Sequence, residues 1–219
     1  MEYFLTTEQN HIIVTPNPEG VMQARRNPEL AAVLQNAALS LADGIGIIIA
    51  ARLKRLKLPE RVRGFDIAAA LLARLSGKNG GKVYLLGAAP GVAKRAAENI
   101  ERLYPGVTVI GHHHGFFKDD KQIVAEINRL SPDIVIIGMG MPRQELWAAK
   151  NRNINARITM CLGGTINVLA GEVKLAPAFM RKIGLEWLYR LISQPSRAKR
   201  MLDLPRFIFA VIFTKGMPS

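Results

Sequence analysis

The stretch Leu39–Gly46 carries the residue types in this chain that are best suited to chemistry. An apolar run leads into Asp43, and Gly44 and Gly46 follow it on either side of an isoleucine. Asp-Gly is a turn signal, because aspartate bonds its local backbone and glycine tolerates a positive φ. In α/β folds, reacting groups sit on such turns at the carboxyl ends of strands. Asp43 is therefore a candidate reacting carboxylate, with a plain turn aspartate as the alternative.

The composition fits one globular domain, or one domain with an appendage. The chain has 219 residues, of which 49% are hydrophobic and 21% are charged, and this is enough for a large core. Its single cysteine, Cys161, excludes an internal disulfide and suits a reducing compartment. Because Cys161 lies in an apolar run, we expect it to be a small core residue rather than a nucleophile.

Short β-branched runs alternate with helical segments along most of the chain, beginning with the strand His11–Thr15. Residues 19–41 have a helical pattern, and Pro28 is expected to split that helix. Asp66 is predicted to cap the helix Ile67–Leu75, because its oxygen can accept free first-turn N–H groups. The strands are continuously apolar, so the sequence predicts an α/β fold with a mostly parallel sheet and helices on both faces.

Small or polar turns follow several of the predicted strands, and in a parallel sheet such turns share one edge. Helix N-termini at that edge offer free N–H groups and a positive dipole end to an anion. Gly87-x-x-x-Gly91 is neither the dinucleotide fingerprint nor a phosphate loop. Together, however, the turns predict a site for an anionic small molecule. They are Thr15–Asn17, Gly87–Gly91, Gly111–Gly115, Gly138–Gln144 and Gly163–Thr165.

Three adjacent histidines, His112 to His114, lie in a predicted loop after the strand Val107–Ile110. Adjacent residues in an extended chain point to opposite sides, so three in a row cannot converge on one ion without a bend. The fourth histidine is the distant His11, and no Asp-x-Asp occurs in the chain. A substrate contact or a packing role is favoured over metal ligation, and no metal site is predicted.

The C-terminal tail concentrates the positive charge. The chain carries a net charge of +13, which predicts an anionic partner. Residues 181–219 hold eight basic residues against Glu186 and Asp203, a net +6. An amphipathic segment and the short apolar run Phe207–Phe213 favour a helix in the interface of an anionic membrane. A C-terminal core helix is the alternative. No nucleic-acid recognition module is visible, so no nucleic-acid partner is expected.

Taken in order, several short motifs resemble those of the TagA/WecG/CpsF family of bacterial glycosyltransferases. Each motif alone is weak, but the ordered set is specific and covers nearly the whole chain from about residue 11. The motifs are Thr15-x-Asn17, Asp43-Gly44-x-Gly46, Glu60-Arg61-Val62-x-Gly64-x-Asp66, Leu85-Leu86-Gly87, Tyr104-Pro105-Gly106, Gly138-x-Gly140-x-Pro142-Arg-Gln144-Glu145, Gly163-Gly164 with Ala170-Gly171, and Gly184-Leu-Glu-Trp-Leu-Tyr-Arg190.

This resemblance implies a Rossmann-like fold and an inverting, metal-independent glycosyltransferase without a cofactor. The expected donor is UDP-N-acetylmannosamine, and the expected acceptor is the 4-hydroxyl of N-acetylglucosamine on undecaprenyl diphosphate. The family's C-terminal appendage implies a peripheral position on the cytoplasmic face of the bacterial cell membrane. Two alternatives stay open. One is another UDP-sugar donor, such as N-acetylmannosaminuronate or glucose, and the other is a non-catalytic nucleotide- or lipid-binding protein.

The resemblance also assigns roles to individual residues. It places Asp43 as the general base that takes the acceptor proton and Arg61 as a fixed positive partner for the leaving UDP. Gln144, the third predicted catalytic residue, and the turn residues Thr15 and Asn17 match polar positions that hold the donor or position the acceptor. The remaining predicted substrate-binding residues are Gly44, Gly87, Gly140, Gly163, Gly164, Arg190, Arg197 and Arg200.

These expectations divide the chain into two parts. Residues 1–180 are predicted to form a Rossmann-like catalytic domain, and residues 181–219 a basic, amphipathic and helical appendage that associates with the membrane. The expected partners are a UDP-sugar, polyprenyl-diphosphate-linked N-acetylglucosamine and the membrane surface. The sequence leaves open whether the chain forms a homo-oligomer.

Overall fold

The computed structural model describes residues 1–58, 62–77, 80–193 and 203–213, apart from the side chains of Lys182 and Arg190. Its strands are β1 (His11–Val14), β2 (Leu39–Ser40), β3 (Gly81–Gly87), β4 (Val107–His113), β5 (Ile134–Gly138) and β6 (Ile158–Cys161). They form one sheet in the order β2-β1-β6-β5-β3-β4, and every neighbouring pair is parallel. The predicted Rossmann-like α/β fold is confirmed.

Helices connect the strands and follow the last one. Asn17 and Asn27 each cap the helix that follows, by accepting from the N–H groups of Gly20 and Leu30. Pro28 begins the second of these helices, so the predicted split at this residue is confirmed. The helices are α1 (Pro18–Ala24), α2 (Pro28–Asn36), α3 (Ile45–Leu53), α4 (Gly64–Ser76), α5 (Val92–Leu103), α6 (Lys121–Leu130), α7 (Arg143–Lys150), α8 (Thr165–Leu169), α9 (Ala178–Lys182), α10 (Glu186–Ser193) and α11 (Asp203–Phe213).

The side chains of β3 show that the sheet is covered on both faces. Val83 and Leu85 belong to an apolar cluster with residues of α4, α5 and α8. Tyr84 and Leu86 belong to a second cluster with residues of α6 and α7. Successive side chains of a strand point to opposite faces, so the sheet lies between two helical layers. Cys161 is fully buried in the second cluster, as predicted for a core residue.

Two predicted element boundaries are wrong, and strand pairing explains both. Strand β2 lies within the segment predicted to be helical, because Leu39 and Ser40 pair with the residues of β1. Strand β4 continues past the predicted end at Ile110, because Leu85 and Leu86 of β3 pair with His112 and His113. A ladder of backbone hydrogen bonds outweighs the local preference in both places.

The predicted cap at Asp66 is also wrong. Helix α4 begins at Gly64, and Arg63 occupies the N-cap position. Asp66 therefore lies in the first turn, where its carboxylate forms an ion pair with the Arg63 guanidinium. A carboxylate in a first helical turn is still favourable, because it faces the positive end of the helix dipole.

Helix α11 packs against α1 and α3 through one face. Phe207 is buried there and shares a small apolar cluster with Met22 and Ala50. On its other side, Phe209 and Phe213 are 62% and 75% exposed. Among the described residues, no helix combines the length and hydropathy needed to cross a membrane.

Candidate active site

The carboxyl ends of four neighbouring strands, β2, β1, β6 and β5, line one cleft of about 410 Å³. Asp43 follows β2, and Thr15 and Asn17 follow β1. The turn after β6 contributes glycines to the wall, and so does the segment that leads from β5 into α7. The predicted site residues in this lining are Thr15, Asn17, Asp43, Gly140, Gln144, Gly163 and Gly164.

Asp43 is half-buried in a turn that is fixed from both sides. Its backbone N–H donates to the carbonyl oxygen of Pro16 at 3.1 Å, which joins the turns after β2 and β1. Gly44 follows with φ +93° and caps α3, so the chain enters that helix directly after the carboxylate. A side chain would strain the backbone at this φ, which explains the glycine. The Asp43 carboxylate thus occupies a defined place in the cleft wall.

Thr15 and Asn17 hold the neighbouring turn in shape. The Thr15 hydroxyl donates to the carbonyl oxygen of Cys161 at 3.1 Å, and this bond ties the carboxyl ends of β1 and β6 together. The Asn17 side-chain oxygen accepts from the N–H of Gly20 at 2.8 Å and caps α1. These bonds leave the Asn17 amide nitrogen as a donor that can serve a ligand.

Gln144 is nearly fully buried and connects two walls of the cleft. Its side-chain oxygen accepts from the N–H of Gly140 at 3.1 Å and from the N–H of Gly163 at 3.0 Å. Its side-chain nitrogen donates to the Glu145 carboxylate at 2.7 Å. The same amide therefore fixes the turn after β5 and the turn after β6.

Three glycines of these turns leave open space beside the backbone. A Cβ atom added at Gly140, Gly163 or Gly164 would have no other atom within 4 Å. Gly140 and Gly163 also have φ values of +79° and +51°, which L side chains rarely adopt. Glycine at such positions lets a ligand approach the main chain closely.

Gly87 lies behind this wall and does not itself line the cleft. An added Cβ at Gly87 would lie 2.5 Å from the backbone of Gly138, so only glycine lets β3 and β5 approach so closely. Gly44, as described above, lies next to the lining and caps α3. The structure therefore brings seven of the predicted residues into the cleft wall and places these two in support of it.

The side chains of the four predicted arginines lie outside the described part of the chain. Arg61, Arg197 and Arg200 lie outside the described residues, and Arg190 lies on α10 but its side chain is not described. Within the described part of the chain, Arg63 is the basic residue that lines the cleft, and it pairs with Asp66. The N-terminus of the 13-residue helix α4 opens onto the same space, so its free N–H groups add positive potential.

Sequence reasoning missed several polar residues of the lining. Arg63 occupies an unspecified position of the motif Glu60-Arg61-Val62-x-Gly64-x-Asp66, so no residue pattern marked it. Two further carboxylates, Glu19 on α1 and the buried Glu186 on α10, also line the cleft. The signal for Glu186 was an isolated acid in a strongly basic tail. Asp43 is therefore one of several carboxylates at the site.

Glu145 is completely buried beside Gln144. Burial removes water from its carboxylate and raises its pKa from the ordinary 4.5 to about 7, although the hydrogen bond from Gln144 opposes the shift. The three histidines lie elsewhere, on and after β4, where the His113 ring bonds the carbonyl oxygen of His114. Over the described ranges, no group of three or more His, Cys, Asp or Glu side chains could hold a metal ion, and metal independence stays a prediction.

Comparison with known proteins identifies the family. The profile described as "Glycosyl transferase WecG/TagA/CpsF family" matches residues 1–218. A Bacillus spizizenii protein is 35% identical over 210 residues, covering 95% of this chain and 81% of its own length. A Bacillus subtilis protein is 32% identical over 212 residues, covering 96% of this chain and 82% of its own.

A Staphylococcus aureus protein is 32% identical over 216 residues, covering 97% of this chain and 84% of its own. All three relatives carry the name N-acetylglucosaminyldiphosphoundecaprenol N-acetyl-beta-D-mannosaminyltransferase. The match spans both the sheet and the C-terminal helices. The chain belongs to the WecG/TagA/CpsF family of glycosyl transferases and is itself a transferase enzyme.

Proposed function

We propose that this enzyme transfers N-acetylmannosamine from UDP-N-acetylmannosamine to N-acetylglucosamine on diphospho-undecaprenol. The sugar is attached to the acceptor 4-hydroxyl with inversion, and neither a metal nor another cofactor takes part. The names of the three relatives support both the sugar and the lipid-linked acceptor. The observation that carries the proposal is that Asp43, Arg63 and the open glycine turns line the same cleft.

In this proposal Asp43 is the general base. The acceptor oxygen attacks the anomeric carbon while the bond from that carbon to the UDP oxygen breaks on the opposite face. The acceptor proton passes to the Asp43 carboxylate, and UDP leaves with the bonding electron pair. One base positioned within hydrogen-bond reach of the acceptor hydroxyl is sufficient for this displacement.

Fixed positive groups take the place of a metal at the leaving diphosphate. Arg63 lines the cleft, and the N-terminus of α4 opens beside it. We assign the same role to Arg61 and to the tail arginines Arg190, Arg197 and Arg200. Charges that are already oriented toward the leaving group stabilise the transition state without reorganising. The backbone at Gly140, Gly163 and Gly164 offers the open surface on which the donor rests.

The enzyme acts at the cytoplasmic face of the cell membrane, where it is held peripherally. Phe209 and Phe213 of α11 are largely exposed, and α11 packs on α3. The last residue of α3, Leu53, and the nearby Leu56 are exposed and lie among basic residues. Apolar side chains interleaved with cations favour the interface of an anionic bilayer. The proposed acceptor is lipid-linked and lies at the same interface.

UDP release tests the proposal. Purified enzyme is given a lipid-diphosphate N-acetylglucosamine acceptor and, in separate reactions, the UDP derivatives of N-acetylmannosamine, N-acetylmannosaminuronate and glucose. We expect turnover with the first donor, the same rate in EDTA, and a β-linked product at the 4-hydroxyl. Preference for another donor would refute the sugar assignment, and loss of activity in EDTA would refute metal independence. Absence of turnover with every donor would favour the alternative of a non-catalytic binding protein.

A further inference from the structure

A buried carboxylate directly behind the cleft has no part in the mechanism above. Glu145 follows Gln144 in the first turn of α7 and is 0% exposed. One of its oxygens, Oε1, accepts from the Gln144 side-chain nitrogen at 2.7 Å. Its other oxygen, Oε2, has no hydrogen-bond partner among the described residues. A buried carboxylate with an unpaired oxygen is costly, so its presence calls for a compensating role.

The orientation of the Gln144 amide supplies that role. An amide presents an acceptor oxygen and a donor nitrogen in nearly the same shape, and its neighbours decide which end points where. Two backbone N–H groups, those of Gly140 and Gly163, face the oxygen end. The Glu145 oxygen faces the nitrogen end and accepts a hydrogen bond from its N–H group. Reversing the amide would set its NH₂ group against two other donors.

We propose that Glu145 is a positioning residue that holds the Gln144 amide in the orientation that fixes both glycine turns of the cleft. The chain of contacts runs from Glu145 through Gln144 to Gly140 and Gly163. The proposal deepens the proposed function, and it rests on that function only where it concerns substrate binding. Its structural part concerns the two turns alone and is tested without substrate.

The structural test is amide hydrogen exchange in protein labelled with ¹⁵N-glycine. In Glu145→Met the acceptor is lost while an apolar side chain of similar length fills the space. We expect exchange at Gly140 and Gly163 to accelerate about tenfold, as a lost hydrogen bond to a charged group implies. In Glu145→Gln an oxygen still faces the Gln144 nitrogen, so exchange should stay within about threefold of the original rate.

Trp147→Phe is the matched control. Trp147 lies on the same helix, is also buried, and has a ring nitrogen without a hydrogen-bond partner in the described part of the chain. The change disturbs the packing of α7 but touches no hydrogen bond of Gln144. We expect lower stability and unchanged exchange at the two glycines. Equal acceleration in Trp147→Phe and Glu145→Met would mean that Glu145 only packs the helix.

A double-mutant cycle tests whether Glu145 acts through Gln144. Affinity for UDP is measured in Glu145→Met, in Gln144→Met and in the double variant. We expect each single variant to bind UDP about tenfold more weakly and the double variant to be no weaker than Gln144→Met, because contacting residues are not additive. If the loss of UDP affinity in the double variant is instead the product of the losses in the two single variants, the proposal is overturned.

Glu145→Gln decides the matter if the methionine variant does not fold. Rapid exchange at Gly140 and Gly163 in folded Glu145→Gln would overturn the positioning role. Failure of the proposed function has a different signature: the exchange pattern would hold while no donor supported turnover.

Discussion

The backbone N–H of Asp43 donates a hydrogen bond to the carbonyl oxygen of Pro16 at 3.1 Å. This one bond joins the turn that presents the candidate base to the turn that carries Thr15 and Asn17. Strand β2 is only two residues long, and two further backbone bonds hold the segment that leads to Asp43. The N–H of Leu41 donates to the carbonyl oxygen of Val14 at 2.9 Å, and the carbonyl oxygen of Ala42 accepts from the N–H of Val62 at 3.1 Å. The carboxylate is therefore presented by a short strand, a cross-turn bond and the glycine that starts α3.

Replacing Asp43 with asparagine should remove turnover and leave UDP binding nearly intact. The base acts in the transition state, so its loss should lower kcat by about 10²- to 10⁴-fold. UDP affinity is measured by calorimetry and kcat by UDP release. Glu19→Gln and Glu186→Gln are made in parallel, because both carboxylates line the cleft. If either of them lowers kcat more than Asp43→Asn does, the base has been misassigned.

Replacing Arg63 with glutamine should weaken UDP binding about tenfold, since hydrogen bonds to charged groups contribute about 1.5–3 kcal/mol. The change also leaves the Asp66 carboxylate in the cleft without its partner, and this negative charge repels a diphosphate. Arg63→Gln/Asp66→Asn separates the two effects. We expect the double variant to recover part of the affinity but less than all of it. Full recovery would show that Arg63 merely neutralises Asp66.

Two cleft glycines form a matched pair for alanine substitution. Gly140 has φ +79°, whereas Gly164 has φ −78°, and an added Cβ meets open space at both. Gly140→Ala should lose about 1 kcal/mol of unfolding free energy through backbone strain. Gly164→Ala should keep its melting temperature. Both should bind UDP more weakly, because the methyl group occupies the space meant for the donor. Unchanged affinity in Gly164→Ala would place the donor elsewhere.

The aromatic residues of α11 should separate membrane binding from folding. Phe209 and Phe213 are exposed, whereas Phe207 is buried against α1 and α3. Phe209→Ser/Phe213→Ser should lower partitioning onto anionic vesicles by about a hundredfold or more, because roughly 1.5–3 kcal/mol accompanies burial of each such side chain. Its melting temperature should not change, whereas Phe207→Ser should lower it. Sedimentation with vesicles measures the partitioning, and normal partitioning of the double variant would remove α11 from the membrane contact.

The sequence pattern was sufficient to predict the layers of this fold and most of the residues in the cleft wall. Continuous apolar strands separated by helices specify a parallel sheet, and a parallel sheet brings its carboxyl-end turns to one edge. Strand β2 was missed because two residues carry no periodic signal and its pairing with β1 is a tertiary event. Arg63 and Glu186 were missed for a similar reason, since each reaches the cleft through the path of the chain rather than a local pattern.

The hydrogen bonds of Gln144 and Glu145 behind the cleft wall could not be predicted from the sequence. Gln144 was predicted to face substrate, and the structure adds that its oxygen holds two turns that lie 23 residues apart in the sequence, at Gly140 and Gly163. Glu145 was part of a quoted motif, but no role was predicted for it. Its burial depends on how α7 packs on the sheet, which no local pattern encodes. Hydrogen-bond networks of this kind are specified by packing.

The pH dependence of stability should report on Glu145. Its pKa in the fold is about 7 against an ordinary 4.5, because burial disfavours the charged form. The folded state therefore binds this proton more tightly than the unfolded state, and stability falls as pH rises from about 4.5 to 7 by up to about 3 kcal/mol. Burial raises the pKa of the neighbouring Cys161 thiol well above its usual range, so it stays neutral throughout this window.

The variant Glu145→Gln cannot ionise at this position, so its stability should lack the fall with pH that Glu145 causes. Urea unfolding of both proteins between pH 5 and 8 measures the difference, which should grow in favour of the variant as pH rises. A constant difference across that range would mean that Glu145 does not titrate in the fold.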